Sequence, residues 1–422
     1  MLSVNSQSGL YNSSFFKMVI NTDRPIIDDR GRFADEQTFF HEYIHYLQDI
    51  ATTFGLMNTS QTLKLLLVYV QEAKKNRNTT IKIPLSNHNF GNVSINHDLV
   101  EMYNGDYSQD KYRKLQNAHL KLIEHPFNNC IPGYESVEYI NLVFSNGFKF
   151  HFGGIAILEC MAYMLEVLVF RKEFDKNLSP YSLAYNITES IYPELCDNLW
   201  NIIVICDHAL MHFDPGTIFC NTLEYIKHYG LTFESPFEIY DVAKMVTYGN
   251  YDDYKSIFNV PLATFNESMD AIFIHDDHRQ IKNWSKEIVL KSYNDIGTNE
   301  RFIKYIYDNV KYGSLQLISS LIKKYSMPLT FNNKDECWTT DIQSPATSLY
   351  LALFDIFYKF SEGKDLACSL YNFCKAQDLN SVNTICLNKP WLRSKEIELC
   401  PFAQIWIFSG LASVNIDLEL IY

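Results

Sequence analysis

One short stretch constrains this chain more than any other, because residues 39–50 read FFHEYIHYLQDI. The stretch contains the pattern His-Glu-x-x-His, formed by His41, Glu42 and His45. Residues four apart on a helix lie on the same face, so the two imidazoles can approach one cation. Glu42 lies one residue further round the helix, where it can reach a water molecule on that cation. The spacing therefore predicts a zinc site with a general base beside it.

The surrounding sequence predicts that this helix is buried. Large apolar residues flank the pattern on both sides, namely Phe39, Phe40, Ile44, Leu47 and Ile50. Asp35 and Thr38 lie just upstream and provide a helix N-cap. Two histidines and a glutamate are costly to bury in an apolar helix unless something binds them. The alternative interpretation is a surface helix with histidines at this spacing by coincidence.

A β-hairpin and a second apolar helix are predicted between residues 137 and 172. The runs 137–144 and 148–152 are rich in β-forming residues and are joined by Ser-Asn-Gly, which is a strong hairpin signal. Two glycines then end the strand. Residues 155–172 are apolar nearly all round, so they predict a buried helix.

This predicted helix carries two carboxylates, Glu159 and Glu166, which lie seven residues apart and therefore on one face. A buried carboxylate needs a cation or several hydrogen-bond donors around it. Two histidines alone make a weak zinc site, so a third protein ligand is needed. We therefore expect Glu159 to complete the site. Pairing of Glu159 with an arginine or a tyrosine inside the core is the alternative.

The HEYIH pattern and a glutamate on a second helix together resemble the gluzincins, a subgroup of the zincin metallopeptidases. The metzincin pattern would require glycine at position 48 and histidine at position 51, where this chain has Gln48 and Ala51. The stretch 158–163, LECMAY, resembles the Asn-Glu-Gly-Phe-Ala type of third-ligand helix in gluzincins. The gap between His45 and Glu159 is longer than in many members.

The resemblance implies a zinc-dependent metallopeptidase that hydrolyses peptide bonds in a protein substrate. Glu42 would act as its general base. In zincins, an edge strand upstream of the motif helix pairs with the extended substrate, and this role falls here to part of 15–27 or to the hairpin 137–152. The implied ligands of one Zn²⁺ per chain are His41, His45 and Glu159.

Further polar residues are candidates to support the site. Glu166 is the second choice as third ligand, or it accepts a hydrogen bond from a ligand histidine, a role for which Asp49 and Asp207 are also candidates. His208 and His212 lie four apart on a predicted helix, where one of them could stabilise the oxyanion of the tetrahedral intermediate. A polar patch, or a core histidine bonded to the backbone, is the favoured alternative for both.

Charge and composition indicate which classes of partner and which cellular compartment to expect. The net charge is −13, which gives no electrostatic case for nucleic acid or an anionic membrane as the main partner. We expect no signal peptide, because the N-terminus is polar, and no membrane span, because no stretch approaches about 20 apolar residues. Ten cysteines without a C-x-x-C pair predict reduced core residues in a cytoplasmic protein.

The overall pattern predicts an α+β fold, mostly helical, with a small β-sheet beside the motif helix. We expect a zincin-like domain over 1–230 and a mostly helical region over 231–422. Among the shorter elements, 86–97 is predicted as a polar loop and about 108–124 as a helix. The large helical C-terminal half favours a specific target over general digestion, as in an effector, toxin or defence peptidase. The rival functions are a non-catalytic interaction protein on a zincin scaffold and a zinc hydrolase of a non-peptide amide.

Overall fold

The structure, a computed structural model, describes residues 3–5, 9–76, 79–106, 118–131, 134–144, 149–246, 253–296, 298, 300–340, 344–363, 366–376 and 382–418. Helices dominate, and the strands form small sheets. This confirms the predicted α+β class, mostly helical with a small sheet beside the motif helix. None of the helices in these ranges combines the length and apolarity that crossing a bilayer requires.

The α-helices of the described ranges are α1 Glu36–Ala51, α2 Thr53–Lys75, α3 Asn92–Asn104, α4 Gly154–Phe170, α5 Leu183–Ile191, α6 Leu199–Leu210, α7 Pro215–His228, α8 Ile239–Ala243, α9 Tyr254–Ile272, α10 Arg279–Tyr293, α11 Phe302–Asn309, α12 Ser314–Tyr325, α13 Ser344–Glu362, α14 Tyr371–Ala376 and α15 Pro401–Phe408. The strands are β1 Ser3–Asn5, β2 Gly9–Asn12, β3 Lys17–Ile20, β4 Thr80–Ile83, β5 Ala118–Ile131, β6 Tyr134–Phe144, β7 Lys149–Phe152, β8 Leu329–Phe331, β9 Cys337–Trp338 and β10 Asn415–Leu418.

The largest sheet lies beside the motif helix and has the strand order β1-β2-β3-β8-β9. Strand β3 pairs antiparallel with β2 and parallel with β8, so it lies in the middle of the sheet. Strands β5, β6 and β7 form an antiparallel sheet, and β10 pairs parallel with β4. The pairings of β3 with β8 and of β4 with β10 each join a strand before residue 230 to a strand after it. The division into 1–230 and 231–422 stays a prediction.

Helix α1 begins where the sequence predicts it. The side chain of Asp35 accepts a hydrogen bond from the backbone N–H of Thr38 at 3.1 Å, and the Thr38 hydroxyl donates to the same carboxylate at 2.8 Å. This N-cap satisfies a backbone donor that the first turn leaves open. Every residue of α1 from Phe39 onward is buried. The helix therefore lies in the core and carries its polar side chains with it.

A sharp turn joins α1 to α2 and depends on a glycine. A Cβ atom at Gly55 would lie 2.4 Å from the backbone oxygen of Gln48, so any other residue would push the two helices apart. Thr52 caps α2 by accepting from the Gly55 N–H at 3.1 Å. Helix α4 is fixed in the same way, because a Cβ at Gly154 would lie 2.2 Å from the ring of Phe54. These close contacts hold α4 beside α1 and α2.

The predicted hairpin and the helix after it are confirmed. Strands β6 and β7 are antiparallel, with Ile140 opposite Phe152, and α4 follows at Gly154. The connecting residues 145–147 lie outside the described residues. All but two of the α4 residues are buried, as its nearly continuous apolar sequence predicts.

Two shorter predictions are wrong. The predicted loop 86–97 contains the start of α3, where the Ser94 side chain accepts from the N–H of Phe90 just before the helix. The predicted helix 108–124 falls partly on residues 107–117, which lie outside the described residues, and its remainder belongs to strand β5. Strand β5 pairs with β6 over most of its length, from Ala118 opposite Phe144. A partner strand further along the chain thus overrides the local helical pattern.

Candidate metal centre

The structure brings His41, His45 and Glu159 together although a hundred residues separate the helices that carry them. The Nε2 atoms of the two histidines lie 3.3 Å apart. The Oε2 atom of Glu159 lies 3.4 Å from Nε2 of His41 and 3.5 Å from Nε2 of His45. Among the described residues, this is the one group of three or more His, Cys, Asp or Glu side chains whose donor atoms are close enough to hold a metal ion.

The spacing of these three atoms fits a tetrahedral ion. Ligand atoms about 2.1 Å from a tetrahedral centre are separated by about 3.4 Å, whereas neighbouring ligands of an octahedral centre at that distance are separated by about 3.0 Å. The observed separations of 3.3, 3.4 and 3.5 Å match the tetrahedral value. Two imidazoles and one carboxylate are also a donor set that zinc accepts.

All three side chains are buried, with exposed fractions of 7 % for His41, 2 % for His45 and 0 % for Glu159. Both carboxylate oxygens of Glu159 are buried without a hydrogen bond, since the histidine nitrogens lie beyond normal hydrogen-bond distance. A buried carboxylate in this state requires a cation nearby. The site therefore has the separations, the donor types and the unsatisfied charge that a metal ion would satisfy.

Without a metal, a proton on His41 supplies the positive charge. Burial lowers the pKa of His41, but the carboxylates of Glu159 and Glu166 on either side outweigh burial and raise its pKa to about 10. Burial likewise raises the pKa of Glu159, and contact with His41 and His45 outweighs it, so the pKa of Glu159 falls to about 2. A metal ion would take the place of this proton, because a ligand imidazole must be neutral.

Glu166 lies on the far side of His41 from Glu159. Its Oε2 is 3.1 Å from Nδ1 of His41, and its Oε1 accepts hydrogen bonds from Nε2 of Gln37 at 2.6 Å and Nζ of Lys172 at 3.3 Å. The sequence left open whether Glu166 is a ligand or an orienting acceptor. This geometry fits the acceptor, since an Nδ1–H held by Glu166 leaves Nε2 of His41 to face Glu159 and His45.

His45 is oriented by a neutral side chain, Gln48. Nδ1 of His45 lies 2.7 Å from Oε1 of Gln48, whose Nε2 donates to the backbone oxygen of Leu158 at 3.0 Å. Gln48 thereby connects one ligand histidine to the residue just before Glu159. This role of Gln48 was not predicted from the sequence, in which the residue served only to exclude the metzincin pattern. The sequence did contain a signal for this role, because Gln48 carries an amide one turn after a predicted ligand, in a helix that is predicted to be buried.

Glu42 is fully buried on the flank of α1 that faces strand β2. A Cβ atom placed on Gly9 would lie 2.9 Å from both Cγ and Oε1 of Glu42, so only a glycine allows the strand to come this close. Glu42 also interacts electrostatically with His41, because its charge contributes to the raised pKa of that histidine. The predicted general base therefore lies beside the predicted ligands and under the N-terminal strand.

Asp49 and Asp207, the other acidic candidates for orienting a ligand histidine, form their hydrogen bonds with other residues. Asp49 accepts hydrogen bonds from the Tyr11 hydroxyl at 3.0 Å and from the backbone N–H of Ser14 at 3.2 Å. Asp207 pairs with the guanidinium of Arg301, whose Nη2 lies 2.6 Å from Oδ1. Both carboxylates therefore accept hydrogen bonds from buried residues other than the two histidines. Of the three candidates for orienting a ligand histidine, Glu166 is the one in contact with such a histidine.

His208 and His212 lie in the core around Tyr254. Nδ1 of His208 is 2.7 Å from the Tyr254 hydroxyl, and the two imidazole rings are 5.0 Å apart. Burial lowers the pKa of both, that of His212 to about 4, which favours the neutral form of each ring. These contacts fit core histidines, the favoured alternative, and the oxyanion role stays a prediction.

No family model, curated protein or solved structure matches the chain. The basis for a proposed function is therefore the geometry of the chain's own residues.

Proposed function

We propose that this chain is a zinc-dependent metallopeptidase that hydrolyses peptide bonds in a protein substrate. The observation that carries the proposal is the convergence of Nε2 of His41, Nε2 of His45 and Oε2 of Glu159 within 3.5 Å of one another. The helix that carries both histidines, α1, also bears Glu42. The tetrahedral spacing and the complete burial of Glu159 support zinc as the ion.

Bound zinc would supply a Lewis acid that lowers the pKa of a water ligand to about 7 and polarises a substrate carbonyl. The chain's own residues supply the rest. Glu166 and Gln48 hold the two imidazoles by their Nδ1 atoms, so that both Nε2 atoms would be available to a bound ion. The Glu42 carboxylate takes a proton from the attacking water and passes it to the departing amine nitrogen. Its burial strengthens these interactions, because little water screens them.

The cysteines support a cytoplasmic location. The described cysteines are free thiols, and most of them are buried in the core. A protein whose many cysteines stay reduced is typical of a reducing compartment such as the cytoplasm.

Burial of the site favours one rival function, a non-catalytic interaction protein in which the metal only stabilises the fold. Glu42 and Glu159 are 0 % exposed, His45 is 2 % exposed and His41 is 7 % exposed, so the predicted general base and all three predicted ligands are buried. Structural zinc sites are closed in this way, whereas catalytic sites keep a position open to substrate. The two functions differ in what Glu42 does.

The test is a comparison of two variants of the full chain. Glu42→Gln should keep about one zinc per chain and reduce hydrolysis of a library of quenched fluorescent peptides by about 10²–10⁴-fold. His41→Ala should lose both the metal and hydrolysis. Metal content is measured by mass spectrometry of the purified, zinc-reconstituted protein.

A matched control is Glu72→Gln, which makes the same change on α2, where Glu72 pairs with Lys75 at the surface. It should leave metal and hydrolysis unchanged. The peptidase proposal fails if the wild-type chain binds no zinc, or if Glu42→Gln hydrolyses peptides as fast as the wild type.

A further inference from the structure

Four cysteines line one small cavity that is built from residues between 368 and 402. Three of them, Cys368, Cys374 and Cys386, are buried, and Cys400 is half-buried. The rest of the wall is mostly apolar, with Leu370 among its side chains. The cavity has a volume of about 10 Å³, which is room for about one water molecule. It therefore brings soft sulfur donors together in a largely apolar setting.

Separate segments of the chain contribute these thiols. The backbone N–H of Cys368 donates to the backbone oxygen of Cys386 at 2.7 Å, and this hydrogen bond joins two of the segments. Cys374 lies on α14, and Cys400 immediately precedes α15. A metal ion bound between thiols from two segments would tie those segments together, because the ligand bonds are stronger than the packing around them.

A buried guanidinium, that of Arg393, lies beside the thiols. Arg393 is 2 % exposed, and its Nη2 pairs with Oε2 of Glu396 at 3.0 Å, but its Nε is buried without an acceptor. Burial raises the pKa of the Cys400 thiol, and the nearby charge of Arg393 acts in the opposite direction. A buried N–H donor without an acceptor is costly, and a thiolate would supply both an acceptor and the opposite charge. The guanidinium therefore indicates that anionic sulfur belongs in this cavity.

The spacing of the sulfurs and the available charge distinguish between metal ions. Tetrahedral zinc holds four thiolates at about 2.3 Å and hence about 3.8 Å from one another. Among the described residues, no three of these sulfurs lie within 4.8 Å of one another. Zinc with four thiolates would also carry two net negative charges into an apolar wall, where Arg393 offers one positive charge. Cu(I) is a soft ion that two thiolates can hold, with one net negative charge, which the guanidinium offsets.

Cys374 and Cys400 are the best-placed pair of thiols. Burial raises the pKa of Cys374 to about 12, and of the neighbouring thiols that of Cys400 contributes most to the increase, whereas Arg393 opposes it. Cys368 is less suitable, because burial and then the carboxylate of Asp355 raise its pKa and so disfavour a thiolate there. A cysteine sulfur moves by about 3 Å between staggered rotamers, so rotation of these side chains is enough to bring two sulfurs to one ion.

We propose that this cavity binds a soft monovalent metal ion, Cu(I), between the sulfurs of Cys374 and Cys400, with Arg393 as the counter-charge. Binding converts two thiols into thiolates and releases two protons to solvent. The bound ion ties α14 to the start of α15. The site differs in donor type from the group at His41, and the inference does not depend on the proposed peptidase activity.

Titration of the full, reduced chain with Cu(I) against a Cu(I) chelator, without oxygen, tests the site. The wild type should bind about one Cu(I) per chain at the cavity. Cys374→Ser and Cys400→Ser should each weaken this binding by about 100-fold or more, because one of two ligands is lost. The matched control is Cys196→Ser, which changes a half-buried thiol outside the cavity wall and should bind Cu(I) as the wild type does. His41→Ala should also keep this Cu(I).

Two variants test the part played by the guanidinium. Arg393→Met should weaken Cu(I) binding by about tenfold, because a positive charge beside the thiolates is lost where little water screens it. Glu396 is partly exposed, so its carboxylate stays solvated in this variant. Arg393→Lys keeps the charge and should recover part of the affinity. Equal affinities of Arg393→Met and the wild type would remove the counter-charge from the proposal and overturn it.

X-ray absorption at the copper edge examines the wild-type chain directly, so it decides the result even if a variant does not fold. Two sulfur neighbours and no nitrogen or oxygen neighbour are expected around copper. A nitrogen shell would place the ion elsewhere and overturn the proposal, as would unchanged Cu(I) affinity in both Cys374→Ser and Cys400→Ser. If these two variants instead lose a bound zinc ion, the cavity takes a divalent metal and the assignment to Cu(I) is wrong.

Discussion

The imidazole of His45 donates from Nδ1 to Oε1 of Gln48 over 2.7 Å, and both residues lie on α1, three positions apart. Gln48 is 0 % exposed. The contact fixes the tautomer of His45, since an Nδ1–H leaves the lone pair on Nε2 for a metal. A single helix therefore provides two of the three predicted ligands and the group that orients one of them.

We expect Gln48→Leu to weaken zinc binding by about 10–100-fold, because the substitution removes the acceptor that orients His45. Gln48→Glu keeps an acceptor for Nδ1 but loses the donor to the Leu158 backbone oxygen, so its zinc affinity should lie between those of Gln48→Leu and the wild type. Competition with a fluorescent chelator measures both affinities. Equal affinity of Gln48→Leu and the wild type would show that packing alone orients the ring.

Glu159 and Glu166 should respond differently to the same substitution. Glu159→Gln removes the charge of the third predicted ligand, and the variant should lose stoichiometric zinc. Glu166→Gln keeps an oxygen that accepts from Nδ1 of His41, so zinc should stay bound with an affinity reduced by up to about 100-fold. Metal content after dialysis and a chelator titration distinguish the two. The reverse order of effects would make Glu166 the ligand.

Asp49 should make the protein less stable as pH rises. Burial raises the pKa of Asp49 to about 7, although hydrogen bonds from Ser14 and Tyr11 act in the opposite direction. Because this value lies above that of an unfolded aspartate, the folded state binds the extra proton between about pH 4 and pH 7, and its stability falls over that interval.

The Asp49→Asn variant tests this assignment. The amide oxygen keeps an acceptor for Tyr11 and Ser14 and cannot ionise. The free energy of unfolding, measured in urea on metal-free protein from pH 4 to pH 8, should fall less steeply in the variant, by up to about 4 kcal/mol over the whole range. Identical slopes for the variant and the wild type would show that Asp49 titrates normally.

The pair formed by Arg301 and Asp207 joins α6 to the segment just before α11, and both side chains are nearly inaccessible, with exposed fractions of 2 % and 0 %. Arg301→Met should lower the free energy of unfolding by about 3–5 kcal/mol, because Asp207 is left charged and buried. The double variant with Asp207→Leu should recover much of that loss. Urea unfolding of the single and double variants measures both effects. No recovery in the double variant would mean that packing and not charge dominates.

Local patterns were enough to predict the helices that carry the site. The cap at Asp35 and the apolar flanks of α1 act within a few residues, and α4 is apolar nearly all round, so the local sequence contains the signal for both helices. The approach of Glu159 to the histidines could be expected from chemistry alone, because a carboxylate in an apolar helix requires a cation. Binding of zinc there stays a prediction.

The parts that the sequence did not reveal depend on distant partners. Strand β5 forms because β6 pairs with it, and β3 becomes an inner strand because β8 arrives from more than 300 residues later. The hydrophobic periodicity of a single segment does not identify its partner strand in a distant part of the chain. The same reason explains why the position of Gly9 over Glu42 was not foreseen, since only the assembled sheet places β2 against α1.

The insertion of β8 beside β3 has a practical consequence for handling this protein. Tyr43 and Tyr46 of α1 donate to the backbone oxygens of Ser326 and Tyr325, immediately before β8. A fragment ending near residue 230 would expose the bare edge of β3 and remove the two backbone oxygens that these hydroxyls contact. Such a shortened protein would be prone to self-association, and inactivity in it would be uninformative about the proposed activity.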